Sequence, residues 1–107
     1  MRPELLKGHM DLLLLAVVGE EPGHGYAIIE RIKQRSDAAL SLAEGSVYPA
    51  LYRLERDGLL TSSVATAAGR PRRTYRLTAA GQEAMAERRR EWRTFAGAIS
   101  AVIGGQS

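Results

Sequence analysis

A run of arginine residues is the first feature of this sequence that could do chemistry. Arg70, Arg72, Arg73 and Arg76 fall within seven positions of the stretch GRPRRTYRLTAAG, which spans Gly69–Gly81. Guanidinium groups are permanently charged and donate hydrogen bonds in a planar fork that matches phosphate and carboxylate groups. The stretch therefore indicates binding of an anionic partner.

The charge of the chain is distributed unevenly along its length. Residues 1–58 carry seven basic and nine acidic side chains, whereas residues 59–107 carry eight basic and three acidic ones. No acidic residue lies between Leu59 and Thr78, where the four arginines are. A one-sided basic segment on a small domain favours a polyanion as partner. A solvated protein face would have the same composition, and charge alone does not separate the two interpretations.

The composition excludes several other kinds of site. The 107 residues suffice for one compact domain, and the absence of cysteine removes disulfides and Cys-based zinc sites and suits the reducing cytoplasm. His9 and His24 are isolated histidines without a neighbouring acid pair, so we expect no metal site, no cofactor and no enzyme activity. The longest apolar run, Leu12–Val18, is about a third of a membrane-spanning length, so no membrane partner is expected.

Helical patterns account for most of the chain. Residues 5–19 are apolar almost all round, which predicts a helix buried on most sides and suggests a partner subunit. Residues 24–35 and 44–58 each combine an apolar and a polar face at helical spacing. Thr78 is a favourable N-cap for a last helix that runs to about Ile103 with apolar residues every three or four positions.

Two short strands separate the third helix from the last one. Leu59–Thr66 and Arg73–Thr78 are rich in alternating and β-branched residues, which predicts an antiparallel hairpin. The residues between them, Ala67–Arg72, predict a basic loop at the tip, stiffened by Pro71.

Pro49 constrains where the third helix begins. A proline inside a helix costs roughly 3 kcal/mol, but in the first turn the amides have no intrahelical partner and the cost largely vanishes. Ser46 as N-cap would place Pro49 in that turn. An earlier start, with a local kink at Pro49, is the alternative.

The order of helix, helix, helix, hairpin and helix is that of a winged helix-turn-helix with an appended C-terminal helix. We therefore predict a mainly α fold with a small β-hairpin, comprising a DNA-binding unit at residues 1–78 and a dimerisation helix at residues 79–107. In such a fold the third helix enters the DNA major groove, and cations on the hairpin reach phosphates or the minor groove. The arginines would form the tip and the return strand of this wing.

Four segments carry a recognisable pattern: LLKGHMDLLLLAVV (5–18), GHGYAIIERI (23–32), GSVYPALYRLERDGLL (45–60) and GRPRRTYRLTAAG (69–81). In this order and spacing they resemble the PadR-like family of transcriptional regulators over nearly the full length of the chain. The resemblance implies a homodimer that binds a pseudo-palindromic double-stranded DNA operator, usually as a repressor. It further implies the short type of the family, in which the last helix packs with the first helix of the partner.

The candidate DNA contacts follow from the order of the predicted elements and from the family resemblance. Tyr48 lies where the family has a tyrosine near the DNA backbone, with packing under the wing as the alternative. Tyr52 and Tyr26 remain open between a DNA contact and a packing role. The full predicted set is Ser46, Tyr48, Pro49, Tyr52, Arg53, Arg70, Arg72, Arg73 and Tyr26.

Trp92, the only tryptophan, is the candidate ligand-binding residue. In short PadR-like proteins a tryptophan at this position of the last helix can sandwich flat aromatic compounds, which would make a small aromatic molecule the effector that releases the repressor. Packing of the dimer core is the alternative role. The predicted ligand and dimer interface comprises Met10, Leu14, Trp92, Phe95 and Ile99.

Two departures from the family pattern leave details open. Ala43 stands where the family often has a serine that caps the recognition helix, and loss of such a cap costs about 1 kcal/mol. Thr61–Thr66 lacks the aromatic and acidic residues common in the first wing strand, so the length of the wing is undetermined. The alternative function is a winged-helix module for protein interaction without operator binding, against which the basic hairpin argues.

Overall fold

A computed structural model of the chain describes residues 3–104. Four helices and one hairpin follow each other in the predicted order: α1 (Pro3–Glu20), α2 (Gly25–Arg35), α3 (Glu44–Arg56), β1 (Leu60–Ala67), β2 (Arg70–Leu77) and α4 (Ala79–Ile103). The mainly α fold with a small β-hairpin is thereby confirmed. Residues 1–2 and 105–107, which form the outer ends of the two predicted units, lie outside the described part of the chain.

One apolar cluster holds α1, α2, α3 and the hairpin together. Apolar residues recur at three- and four-residue spacing in α2 and α3, so each helix turns one face towards this cluster. Tyr75 brings β2 into it. Full burial of a large aliphatic side chain stabilises the fold by about 1.5–3 kcal/mol relative to exposure. The largest fully buried side chains are Leu14, Leu15, Val18, Ile28, Val47, Leu51, Leu54 and Leu60.

Helix α3 begins earlier than a Ser46 cap would allow. Its N-cap is Ala43, which has no side-chain acceptor, and Pro49 is an interior residue. The earlier start is therefore correct and the Ser46 cap is wrong. The amide of Val47 already donates a helical hydrogen bond to the carbonyl of Ala43 at 3.0 Å. Gly45, whose carbonyl loses its partner because Pro49 has no N–H, is exposed, so water can satisfy that carbonyl.

The wing is longer, and its loop shorter, than the sequence predicted. The two strands pair in antiparallel register from Leu60 opposite Leu77 to Ala67 opposite Arg70. The turn therefore consists of Ala68 and Gly69, whose φ angles of 53° and 77° suit a type I′ turn. Pro71, predicted at the tip, lies in β2 opposite Thr66. A proline is tolerated there because both strands of a two-stranded sheet are edge strands.

Helix α4 begins where the sequence predicted and runs back along α1. The Thr78 hydroxyl accepts a hydrogen bond from the amide of Gly81 at 2.9 Å and donates one to the carbonyl of Gly58 at 2.7 Å. This cap ties the start of α4 to the end of α3. Among the helices within residues 3–104, none is long and apolar enough to cross a membrane.

The start of α4 supplies a test of this packing. A Cβ atom on buried Gly81 would collide with the backbone carbonyl of Leu59, whereas a Cβ on Gly97 would meet nothing within 4 Å. We expect Gly81→Ala to destabilise the fold by about 1–3 kcal/mol, because a backbone atom cannot move aside cheaply. Gly97→Ala should stabilise it by up to about 1 kcal/mol through helix propensity. Urea unfolding followed by circular dichroism, at one protein concentration, measures both. Equal stabilities of the two variants would contradict the packing described at Gly81.

Candidate nucleic-acid interface

The face of α3 that points away from the core is broad and accessible. Val47, Leu51 and Leu54 are buried, which places residues half a turn away on the outer side of the helix. Tyr52 is 69% exposed and stands at the middle of that side. Ser46, Pro49 and Arg56 are also exposed. Arg56 was not among the predicted contacts, although its three- and four-residue spacing from Tyr52 and Arg53 indicates the same outer side.

Tyr48 joins α3 to the start of α2. A Cβ atom on Gly25 would overlap the Tyr48 ring, so the ring lies directly against the backbone at the first residue of α2. Tyr48 nevertheless keeps 43% of its surface exposed. The structure thus gives Tyr48 a packing contact, against α2 rather than under the wing, and leaves part of it accessible. Tyr26, the next residue of α2, is exposed, which removes the alternative of a core tyrosine.

The arginines of the hairpin lie on both of its faces. Because side chains alternate along a strand, Arg70, Arg72 and Arg76 share one face, and Arg73 shares the other with buried Tyr75. Burial raises the pKa of the Tyr75 phenol. Arg70 and Arg72 lie in β2 rather than in the predicted loop, so the ladder of β1 and β2 determines where they project.

Hydrogen bonds connect the hairpin to the two helices beside it. Arg73 donates to the Ser62 hydroxyl at 2.9 Å, and this hydroxyl donates to Glu55 of α3 at 2.7 Å. Gly23 and Tyr75 exchange two backbone hydrogen bonds, which fasten β2 to the loop before α2. The wing is therefore held against both helices of the helix-turn-helix.

His24 connects Arg72 of the wing to the start of α2. The guanidinium Nη1 of Arg72 lies 2.9 Å from Nε2 of His24, while the amide of Ala27 lies 3.4 Å from Nδ1. A neutral imidazole has one acceptor nitrogen, so only one of these contacts is a hydrogen bond at a time. The shorter contact assigns the acceptor role to Nε2.

Arg53 has an intramolecular partner. Its guanidinium donates to both carboxylate oxygens of Asp11 on α1, at 2.8 and 3.0 Å, and the pair raises the pKa of Arg53. This contact turns the side chain towards α1 instead of the outer side of α3. Arg53 stays a predicted DNA contact, but its 44% exposed side chain would have to leave Asp11 to reach DNA.

The candidate interface residues of α4 form a second accessible surface. Trp92, Phe95 and Ile99 recur at three- and four-residue spacing and are all exposed, Trp92 to 46% and Phe95 to 57%. A groove of about 570 Å³ between α1 and α4 is bordered by Trp92 and by Leu5, Leu12 and Leu13. Met10 is half-buried, packed against the core.

Leu14 does not belong to this surface. It is completely buried in the core of its own chain, so it has no area to offer a ligand or a partner. The sequence could not separate Leu14 from its neighbours because nearly every residue of this part of α1 is apolar. Among the described residues, no group of three or more His, Cys, Asp or Glu side chains could hold a metal ion.

Comparisons with known proteins agree with this architecture. The model of the transcriptional regulator PadR-like family matches residues 14–87. A transcriptional regulator from Mycobacterium tuberculosis is 35% identical over 104 residues, which cover 97% of this chain and 92% of the relative. A transcriptional regulator from Clostridium thermocellum superposes with a TM-score of 0.86 at 25% identity, covering 94% of this chain and 96% of that one. A PadR family transcriptional regulator from Eggerthella lenta superposes with a TM-score of 0.81 at 29% identity, and the match covers 94% of this chain and 86% of that one.

The exposed arginines of β2 predict a measurable electrostatic contribution to nucleic-acid binding. We expect Arg70→Ala with Arg72→Ala to weaken binding to duplex DNA of any sequence. The slope of log affinity against log salt should shrink by about 0.9 for each phosphate that the variant no longer neutralises. Fluorescence anisotropy at four or five salt concentrations measures the slope.

A matched double variant controls for net charge. Arg35→Ala with Arg90→Ala removes the same charge at the far end of α2 and on the side of α4 away from Trp92. Equal salt slopes for the two double variants would mean that the hairpin arginines belong to a solvated surface and do not contact phosphates.

Proposed function

This chain belongs to the PadR-like family of transcriptional regulators, and from that membership we propose that it is a dimeric repressor of a pseudo-palindromic operator. Regulators of this family bind DNA, typically dimerise and are not enzymes, which confirms the expectation that the chain has no catalytic activity. Operator binding would place it with the chromosome in the cytoplasm.

The observation that carries the proposal is the accessible side of α3 beside a hairpin whose arginines are exposed. Helix α3 has 13 residues and is about 20 Å long, which suits a major groove about 12 Å wide. Tyr52, Pro49 and Ser46 would face base edges and sugar-phosphate groups. Tyr48 and Tyr26 would stand near phosphates at the start of α2. The arginines at 70, 72 and 73 would contact phosphates or the minor groove from the wing.

Dimerisation is supported by the apolar side of α4. Exposed apolar side chains at helical spacing resemble a coiled-coil seam without its partner. A two-fold axis beside Trp92 would pair this surface with itself, together with Met10 and the exposed part of α1. Residues 1–78 would then read DNA, and residues 79–107 would set the distance between two recognition helices at about 34 Å, one turn of DNA.

We propose that an aromatic effector releases the repressor from the operator. Trp92 and Phe95 from two chains would provide four rings around the two-fold axis, and flat ligands stack well on such rings. A ligand there changes operator affinity only through its different affinity for the DNA-bound and the released arrangement of the two chains. The groove beside Trp92 provides space for a ligand of drug-like size.

Operator binding tests the proposal directly. We expect the wild-type protein to bind the DNA upstream of its own gene at least about a thousandfold more tightly than a scrambled duplex of equal length. Fluorescence anisotropy at near-physiological salt measures both affinities. Weak, salt-sensitive binding to both duplexes would show only that the wing is basic and that the operator lies elsewhere. No binding to either duplex, even at low salt, would favour the interaction module.

The same titration in the presence of planar aromatic compounds tests the proposed effector. A true effector quenches the fluorescence of Trp92 and also releases the DNA.

The proposed interface predicts the effect of a single charge on α4. Phe95→Asp should convert the dimer to monomers and lower operator affinity by about a hundredfold or more, because a buried unpaired carboxylate is expensive and each monomer holds one half-site. Gly97→Asp adds the same charge about half a turn round the helix from Phe95, where a side chain meets nothing within 4 Å, and should leave the mass unchanged. Light scattering after gel filtration gives the mass. A dimeric Phe95→Asp variant would contradict the interface.

A further inference from the structure

The carboxylate of Asp11 connects three helices. It accepts two hydrogen bonds from Arg53 of α3, and the Arg88 guanidinium of α4 lies 3.5 Å from one of its oxygens. Asp11 itself is on α1, and its side chain is 27% exposed. One carboxylate therefore attracts two cations that would otherwise repel each other where α3 and α4 approach α1.

The geometry of these contacts is more restrictive than that of an ordinary surface ion pair. Both oxygens of Asp11 face both terminal nitrogens of Arg53, and such a parallel pair of bonds constrains the orientation of the two side chains. Nη1 of Arg88 is buried and has no hydrogen-bond partner within the described residues. Its charge is compensated by Asp11 alone among the ion pairs that this part of the chain forms.

The position of Arg88 relates this cluster to the proposed dimer interface. Arg88 precedes Trp92 by four residues, so the two side chains lie on the same side of α4, one turn apart. Asp11, Arg53, Arg88, Trp92 and Phe95 line one cavity of about 400 Å³. The recognition helix is thus linked by charge to the surface through which two chains would meet.

We propose that Asp11 is a positioning residue for operator binding. By holding Arg53 and Arg88 together, it sets the angle of α3 against α4, and hence the separation and orientation of the two recognition helices in a dimer. Arg53 then serves operator recognition through Asp11 and not by touching DNA. This inference rests on the proposed function, because it requires a dimer that reads two half-sites.

The substitution Asp11→Asn tests the proposal on the full-length protein. Asparagine keeps the shape of the side chain, but it removes the charge and turns an NH₂ group towards a guanidinium that can only donate. The probes are the operator fragment from upstream of the gene and two versions with one base pair added or removed at its centre. One base pair changes the half-site separation by about 3.4 Å and rotates one half-site by about 35°.

Three results are expected for Asp11→Asn. Affinity for the natural spacing should fall about tenfold, a typical coupling between sites. The decrease in affinity caused by the altered spacing should be smaller than in the wild type, because α3 is less firmly oriented. The salt slope should stay the same, because the protein neutralises as many phosphates as before.

A second variant distinguishes positioning from direct contact and guards against misfolding of the first. Arg53→Lys keeps a cation for a phosphate but cannot make the parallel pair of bonds, so we expect it to resemble Asp11→Asn in affinity and in spacing tolerance. Glu20→Gln is the matched control, since it breaks the 2.6 Å ion pair between Glu20 and Arg35 on another part of α1. This control should behave as the wild type.

Three outcomes would overturn the inference. Tighter binding by Asp11→Asn with a steeper salt slope would mean that Asp11 withholds Arg53 from phosphate. Wild-type affinity in Arg53→Lys would mean that the cation alone matters. Equal weakening at every spacing would mean a general loss of stability. A wild-type protein that shows no preference for the operator fragment would instead remove the proposed function, and this inference with it.

Discussion

Helix α3 is buried on one side and accessible on the other, and the positions of α1 and the hairpin follow from this division. Val47, Leu51 and Leu54 lie at helical spacing and are buried, so the same spacing forces Tyr52 and its neighbours outward. The buried part of α1, around Leu14 and Leu15, supplies the surface against which α3 packs. The core beneath α3 therefore holds its outer side in one orientation, which allows a small domain to present side chains to a groove.

The hairpin shows how polar contacts extend this rigidity beyond the core. An isolated two-stranded hairpin is marginally stable in water. Leu60 and Tyr75 anchor the base of this one in the core, and the paired amides of Gly23 and Tyr75 hold its edge. The Ser62 hydroxyl links the wing to α3. The arginines of β2 are thus carried by a braced strand, which lowers the entropy lost when they meet an anion.

The chain separates two kinds of surface. Cationic and hydroxyl-bearing side chains surround α3 and the hairpin, whereas most of the exposed large apolar side chains lie on α4. Charged groups suit a partner covered with phosphates, and apolar groups suit a second protein surface. The cluster around Asp11 lies between them, at the point where α1, α3 and α4 meet. In this member of the PadR-like family, the cationic hairpin and the apolar side of α4 are therefore separate surfaces of one chain.

Much of this architecture follows from the sequence by itself, because it depends on neighbours along the chain. Helical periodicity identified the inner face of α3, the hydroxyl of Thr78 predicted the start of α4, and alternation predicted the hairpin. Tertiary structure decided what depends on distant residues. Helix α3 begins at Glu44 and not after the cap expected at Ser46, and pairing of Thr66 with Pro71 shortened the predicted loop to two residues. Asp11 and Arg53 are 42 residues apart, so no local spacing could reveal that they bind each other. Local geometry determines on which face of a helix or strand a side chain lies, but only the packed fold determines which distant residue it contacts.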